Sequence, residues 1–311
     1  MSILSLSLRS GSSGNSTFIR TESARIAVDC GMNGKQFALA LRSVGEEAKK
    51  VDALLLTHEH IDHCSGIGVV MRRHRIPLYA TLATLNEARR IIGEVDEALI
   101  HIIEPGKKFS VRETVIMPFS IPHDAADPVG FRVFSKSGDI GIATDLGHFP
   151  DAVRDSLKGC RVVFLEANFD PVMLETGSYP YYLKRRIVGM NGHLSNFDAG
   201  DAAAYLLRQG TEAFALSHLS QNNNRPGLAL KTVSERLLRD GARAGRDYVI
   251  NASPRFECSR AFRFELAENT LRRALPHMAD CGGAPDCPEQ LSMLTSSAGP
   301  YCGQITLKES V

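Results

Sequence analysis

Within six residues, His58-Glu59-His60-Ile61-Asp62-His63, the chain gathers three imidazoles and the carboxylate of Asp62. Imidazole and carboxylate are donors that zinc and related first-row ions accept. His58 and His60 can point one way and Asp62 and His63 another, so one short segment can serve two adjacent ions. With 10 histidines in 311 residues, this spacing arises by chance in about one chain in a thousand. The alternative is a solvated His-rich turn without chemistry.

The segment directly follows the apolar run 51–56, which reads as a buried strand with the cluster on the loop at its end. Four residues cannot close two metal sites, so further donors must come from the ends of other strands. His123 follows the run 115–121, Asp145 ends 140–144, and His218 ends 213–216. Polar residues just past buried strands are where α/β folds carry their sites. Asp145 is the expected bridge, because a carboxylate can offer an oxygen to each of two ions about 3.5–4 Å apart. One ion then takes His58, His60, His123 and Asp145; the other takes Asp62, His63, Asp145 and His218. Zinc is the expected ion of the pair, and manganese or iron also fits these donors.

The elements that must position these residues are legible as alternating short runs. Strands are expected over 3–8, 16–20 and 25–28, then a helix over 35–44 with Phe37, Leu41 and Val44 on one face. Helix 66–74, strand 77–80 and helix 83–92 follow the cluster. A strand-rich middle covers 115–121, 130–134 and 140–144. After helix 150–158 and strand 161–165, residues 171–192 read as irregular with a helix over 181–187. Ser195-Asn196-Phe197-Asp198 has the pattern of a capping box opening a helix to Arg208. Strand 213–216, helix 228–240 and strand 248–251 complete an α/β chain.

Composition sets further bounds. Lys+Arg 36 against Asp+Glu 35 gives a net charge of +1, so no global charge advertises a nucleic-acid partner. The N-terminus lacks the basic and apolar regions of a signal peptide, and no run of about 18 apolar residues predicts a membrane span. Seven irregularly spaced cysteines, with Cys30, Cys64 and Cys160 in or beside core-like runs, suit reduced thiols and a cytoplasmic location. From about Asp280 the composition shifts to Gly, Pro, Ser and Cys. The expected division is a folded domain over 1–265 and a poorly ordered or loosely docked extension over 266–311, a small structural appendage being the alternative.

In order and spacing, the His-x-His-x-Asp-His segment, His123, Asp145 and His218 resemble the metallo-β-lactamase superfamily. The resemblance covers residues 1–265 and implies a four-layer αββα sandwich with a dinuclear site at one edge of its sheets. It also implies a supporting carboxylate at Asp29, after strand 25–28. Segments 10–16, 58–63, 123–131, 143–147, 179–187 and 192–196 are most similar to the YycJ/WalJ group of bacterial nucleases. That group implies 5′→3′ exonuclease action on double-stranded DNA and a part in DNA repair. True β-lactamases fit less well, since they carry a Cys where Asp145 stands and are exported.

Glu166-Ala167-Asn168 and Gly192-His193-Leu194-Ser195 resemble a feature of the superfamily's phosphodiesterases, including the tRNA 3′-end endonucleases. By that match His193 contacts the scissile phosphate or gives a proton to the leaving oxygen, and Glu166 orients its ring and keeps it charged. The rival reading is that His193 only joins the helix cap. Asp62, His193 and Glu166 are the expected catalytic set, with hydroxide generated between two divalent ions attacking phosphorus in line. One departure is Phe169, where the group often carries a His before the Asp of Asn168-Phe169-Asp170.

Three further segments are candidate substrate contacts. Ser12, Ser13 and Asn15 lie in a Gly/Ser turn that could hold a phosphate or simply close a hairpin. Lys184 and Arg185 lie in Tyr179-Pro180-Tyr181-Tyr182-Leu183-Lys184-Arg185-Arg186, which suits bases and phosphates or a docked helix with a solvated basic face. Asn222 follows His218 and could line the cleft. The leading expectation is a nucleic-acid phosphodiesterase. A small-molecule hydrolase of a cyclic phosphodiester or thioester on the same site is the alternative. A non-catalytic scaffold fits poorly, because no ligand is missing.

Overall fold

Residues along Ser2–Arg9 (β1) alternate between two destinations, and that alternation explains the architecture. Leu4, Leu6 and Leu8 join one buried apolar cluster while Ile3 joins another. A strand with both faces apolar needs a cover on each side. In the computed structural model, which describes residues 2–265 and 304–306, helices cover one face and a second sheet covers the other.

The first sheet begins with β1, β2 (Ser16–Arg20) and β3 (Arg25–Val28), joined antiparallel. Helix α1 (Gly34–Ser43) leads to β4 (Ala53–Leu55), which lies parallel to β3. A single helical turn, α2 (Ile61–Cys64), and α3 (Ile67–His74) precede β5 (Leu78–Ala80); α4 (Leu82–Ile92) precedes the edge strand β6 (Ile100–Ile102). The chain then crosses to the second sheet. Strands β7 (Phe109–Val111), β8 (Thr114–Ser120), β9 (Val129–Val133) and β10 (Ile140–Ala143) run antiparallel in sequence. Helix α5 (Asp151–Leu157) returns the chain to β11 (Val162–Glu166), parallel to β10. After α6 (Pro171–Thr176), α7 (Tyr181–Ile187) and α8 (Asn196–Arg208) comes β12 (Ala213–Ser217), and after α9 (Pro226–Arg239) comes β13 (Val249–Ala252), both parallel additions. Strand β14 (Ala261–Glu265) goes back to pair antiparallel with β1, and β15 (Gln304–Thr306) pairs parallel with β14.

The sheet orders are β15-β14-β1-β2-β3-β4-β5-β6 and β13-β12-β11-β10-β9-β8-β7. Between them lies a core to which β3, β4, β11 and β12 send every second residue: Ile26 and Val28, Ala53 and Leu55, Val162 and Phe164, Ala213 and Ala215. The intervening Ala27, Leu54, Val163 and Phe214 face outward onto the helices. Phe37 and Leu41 of α1, Met71 of α3 and Ala88 of α4 cover the first sheet; Leu157 of α5, Ala203 of α8 and Val233 of α9 cover the second. The result is the four-layer αββα sandwich.

Several elements differ from the sequence expectation. The edge strands β6 and β7 are three residues each with largely solvent-facing side chains, too short for an apolar run to mark them. Helix α6 adds order to a segment expected to be irregular, with Asp170 capping it by accepting from Met173 N and Pro171 at its first turn. Asp62 and His63 sit on the turn α2 rather than on a loop, because His60 O accepts from both His63 N and Cys64 N. The expected extension over 266–311 lies outside the described residues apart from β15.

Candidate metal centre

Most of the expected site residues stand at or just past strand ends. Asp29 follows β3, His58 follows β4, Asp145 follows β10, Glu166 ends β11 and His218 follows β12. His123 arrives beyond β8, and His193 lies two residues before the Ser195 cap of α8. The capping box is formed in both directions: Ser195 Oγ accepts from Asp198 N, and Asp198 Oδ2 accepts from Ser195 N. Asp29, Asp145 and His218 all have left-handed backbone, with φ of 61°, 59° and 57°. Among the described residues only five non-glycines have positive φ, so three of the five lie at this site. Gly31 brings the supporting loop against Asp62 so closely that a Cβ there would lie 1.6 Å from Asp62 O.

The imidazoles are oriented from behind. His63 Nδ1 lies 2.8 Å from Asp29 Oδ2, His58 Nδ1 2.9 Å from Thr57 Oγ1, His123 Nδ1 3.2 Å from Gly192 O and His218 Nδ1 3.0 Å from Glu166 Oε1. A histidine held through Nδ1 by an acceptor presents Nε2, the usual arrangement behind a metal ligand. Those Nε2 atoms converge. His58 Nε2 and His123 Nε2 are 3.0 and 3.3 Å from His60 Nδ1, while His63 Nε2 is 3.2 Å from Asp145 Oδ2. His218 Nε2 is 3.4 Å from Asp62 Oδ2. His58, His60 and His123 form one group whose ligand atoms lie within 4.8 Å of one another; Asp62, His63 and His218 form another; Asp145 joins a group with His58 and His63 and one with His218.

This donor set suits divalent cations. Three imidazole nitrogens facing one another cannot all be satisfied by shared protons, and Asp145 Oδ2 is buried without a hydrogen-bond donor. Electrostatics agree. Burial disfavours charge on His63 and His218, but the carboxylates around them, Asp145 foremost, outweigh it. His63 is held well above the ordinary histidine range, and His218 is raised to about 10. Asp145 is held well below the usual carboxylate range against its own burial by His218 and His63. His58, with fewer anions near it, is pushed well below the histidine range by burial and by the charge of His63. The carboxylates thus demand positive charge at the centre, which protons or metal ions can meet.

Glu166 is fully buried and accepts at both oxygens. Leu146 N and Leu194 N donate to Oε2 at 2.6 and 3.1 Å, and Oε1 faces His193 Nδ1 at 2.8 Å. Burial works against a charged His193, yet the Glu166 carboxylate raises its pKa above the ordinary value. The rings of His193 and His123 are 5.2 Å apart and those of His193 and His218 5.3 Å, so His193 stands at the centre rather than merely at the cap of α8.

The expected substrate contacts fall in different places. Ser12 and Ser13 are exposed on the Gly/Ser turn. Asn15 is buried instead: its Nδ2 donates to Asp62 Oδ2 at 3.1 Å and lies 2.9 Å from His63 Nε2, tying the turn to the donor groups. Lys184 Nζ donates to Glu175 O, and Arg185 is exposed on α7. Asn222 is exposed past His218, donating to Tyr179 Oη at 3.1 Å. Phe169 is 5 % exposed and packs with Leu174 and Ile187, anchoring α6 and α7 beside the site. Thr57 was missed by sequence reading. Its Oγ1 lies against Asp29, His58 and His63, and the only signal was a hydroxyl between the apolar run and the first His.

Residues 24–219 match the β-lactamase superfamily domain. The chain is 35 % identical over 250 residues to exodeoxyribonuclease WalJ of Streptococcus pneumoniae serotype 2, covering 79 % of this chain and 93 % of that one. It is 32 % identical over 244 residues to exodeoxyribonuclease YycJ of Bacillus anthracis, covering 78 % and 92 %. Among solved structures, the metallo-β-lactamase fold protein YhfI from Bacillus subtilis superposes with a TM-score of 0.62 at 15 % identity, over 83 % of this chain and 99 % of that one. The domain match, these relatives and the clustered His and Asp donors make the chain a metal-dependent hydrolase of the metallo-β-lactamase superfamily.

Proposed function

We propose that this hydrolase is a dinuclear phosphodiesterase that removes nucleotides from DNA, acting 5′→3′ on double strands. The reading rests on the His193–Glu166 pair at the centre, a proton donor that a poor alkoxide leaving group requires. Similarity to two exodeoxyribonucleases over more than three-quarters of the chain supports DNA as the substrate. His58, His60, His123 and Asp145 would hold one ion, and Asp62, His63, Asp145 and His218 the other, zinc being the expected metal and manganese or iron also compatible. When bound, such ions lower the pKa of a water and neutralise the non-bridging phosphate oxygens.

The chain's own residues supply the rest. Asp29, Thr57, Gly192 and Glu166 fix ring orientations from behind, so no reorganisation is needed as substrate enters. His193, its Nδ1 engaged by Glu166 and its side chain 18 % exposed, presents Nε2 as the proton donor to the departing oxygen. Tyr181, Tyr182 and Arg185 are exposed on α7, and their rings and charge suit the bases and backbone of a strand.

Incubation of purified protein with 5′-labelled duplex DNA and Mn²⁺ or Zn²⁺ is expected to release mononucleotides from the labelled end, and Asp145→Ala to abolish release. Absence of release at full metal occupancy would refute the reading. The net charge of +1 favours a second reading, a small phosphodiester or thioester as substrate. Turnover of a small diester without salt-sensitive DNA binding would select it.

A further inference from the structure

On the side of the centre formed by Asp62, His63 and His218, two hydrogen-bonded pairs of side chains, Ser12–Arg255 and Tyr179–Asn222, adjoin the segment that carries His218. Arg255, beyond β13, donates from Nη2 to Leu219 O at 2.8 Å and from Nη1 to Ser12 Oγ at 3.4 Å. Leu219 is the residue after His218, and Ser12 belongs to the turn whose Asn15 touches Asp62 and His63. Three residues past Leu219, Asn222 Nδ2 donates to Tyr179 Oη at 3.1 Å. The guanidinium seats on Gly11, where φ is +117° and a Cβ would come within 3.0 Å of Nη1.

Among the described residues Arg255 has no carboxylate within ion-pair distance, unlike Arg20, Arg25, Arg132, Arg161 and Arg236. Partial burial lowers its pKa by desolvation, so this charge is drawn out of water without a counter-charge. A planar fork of N–H donors flanked by hydroxyls and an amide suits a tetrahedral oxyanion.

We infer that Ser12, Tyr179, Asn222 and Arg255 form a subsite for a phosphate of the substrate strand other than the one being cleaved. The inference rests on the phosphodiesterase reading and adds a residue, Arg255, that sets where the strand lies. The phosphate is either the terminal 5′-phosphate or an internal one, and the two have the same chemistry.

Binding of the metal-loaded protein to a duplex protected by phosphorothioate linkages at its ends tests this, by fluorescence anisotropy over about 50–200 mM salt. Arg255→Ala is expected to weaken binding about tenfold to a hundredfold and to make the salt dependence shallower by about one phosphate contact. Arg255→Lys is expected to regain the salt slope but not the full affinity, because it keeps the charge and loses the fork. A loss confined to 5′-phosphorylated duplex assigns the terminal phosphate; an equal loss on 5′-hydroxyl duplex assigns an internal one. If Arg255→Ala melts cooperatively and Arg255→Ala and Arg255→Lys both bind with wild-type affinity and slope, the inference is wrong while the nuclease reading stands. If the wild-type protein neither binds nor cleaves DNA, both fall.

Discussion

Replacing Asp29 by asparagine changes one atom and should disable His63, a ligand of the proposed metal centre that this atom orients. Asp29 Oδ1 accepts from Thr57 N at 2.8 Å, and Oδ2 faces His63 Nδ1 at 2.8 Å. The backbone N–H of Thr57 can only donate, so in Asp29→Asn the new amide oxygen must take the Oδ1 place and its NH₂ must face His63. That forces His63 Nδ1 to accept and moves the ring proton to Nε2, the nitrogen turned towards Asp145. A ligand held in the wrong tautomer binds poorly. Loss of such an orienting partner costs about 10–100-fold in metal affinity, or about 1.4–2.7 kcal/mol. The fold should tolerate the change, since the bond to Thr57 N survives. Competition with a chromophoric chelator at neutral pH, alongside thermal melting of the metal-free protein, separates the two effects. Metal affinity within twofold of wild type would refute the tautomer argument. Asp29→Ala is the contrasting control: it takes this acceptor from Thr57 N, Thr57 Oγ1 and His63 Nδ1, at about 1–3 kcal/mol of folding stability for each donor left unpaired.

His193→Ala is expected to lower kcat by about 10²–10⁴-fold with metal content unchanged, measured by single-turnover cleavage. The Glu166 carboxylate raises the pKa of His193 against its burial, so the protonated form needed by an acid persists above the ordinary value of 6.5 and is lost as pH rises through the raised pKa. Glu166→Gln should therefore move the alkaline limb of the rate profile, normalised to bound metal, to lower pH; an unmoved limb would contradict this. Ser195→Ala removes half of the capping box on α8 and should cost about 1 kcal/mol, seen as a melting temperature lower by about 2 °C. Burial pushes the thiols of Cys30, Cys64 and Cys160 up to about 12, so alkylation of the native protein near pH 8 should leave all three unlabelled in peptide maps. Rapid native labelling of any of them would show that the buried layer opens.

Residues of the proposed centre are readable either from the spacing of His58, His60, Asp62 and His63 or because they stand just past an apolar run, as His58 does after 51–56 and His218 after 213–216. A strand buried on both faces leaves an uninterrupted signal, and its polar neighbour marks the sheet edge. Asp29 and Glu166 are less visible, because an acid after a strand is also an ordinary turn or strand-end residue; the family resemblance singled them out. Asn15 reads as a substrate contact, since nothing in Ser12-Ser13-Gly14-Asn15 shows that the backbone folds its amide inward onto Asp62. Arg255 escaped notice for a related reason. It is one of 36 basic residues, and only the tertiary approach of Gly11 and Leu219 distinguishes it. Strands β6 and β7, three residues each at sheet edges, carry too little apolar periodicity to be seen.

The left-handed turns at Asp29, Asp145 and His218 have an evolutionary and practical corollary. A side chain in that conformation sacrifices about 1–2 kcal/mol relative to ordinary backbone; glycine would relieve this, but at Asp29 it would also strand the donors of Thr57 and His63, at about 1–3 kcal/mol each, so there the strain is outweighed. At Asp145, whose Oδ2 is buried without a hydrogen-bond donor, the exchange gives up less, and it is there that durability and the proposed chemistry pull in opposite directions.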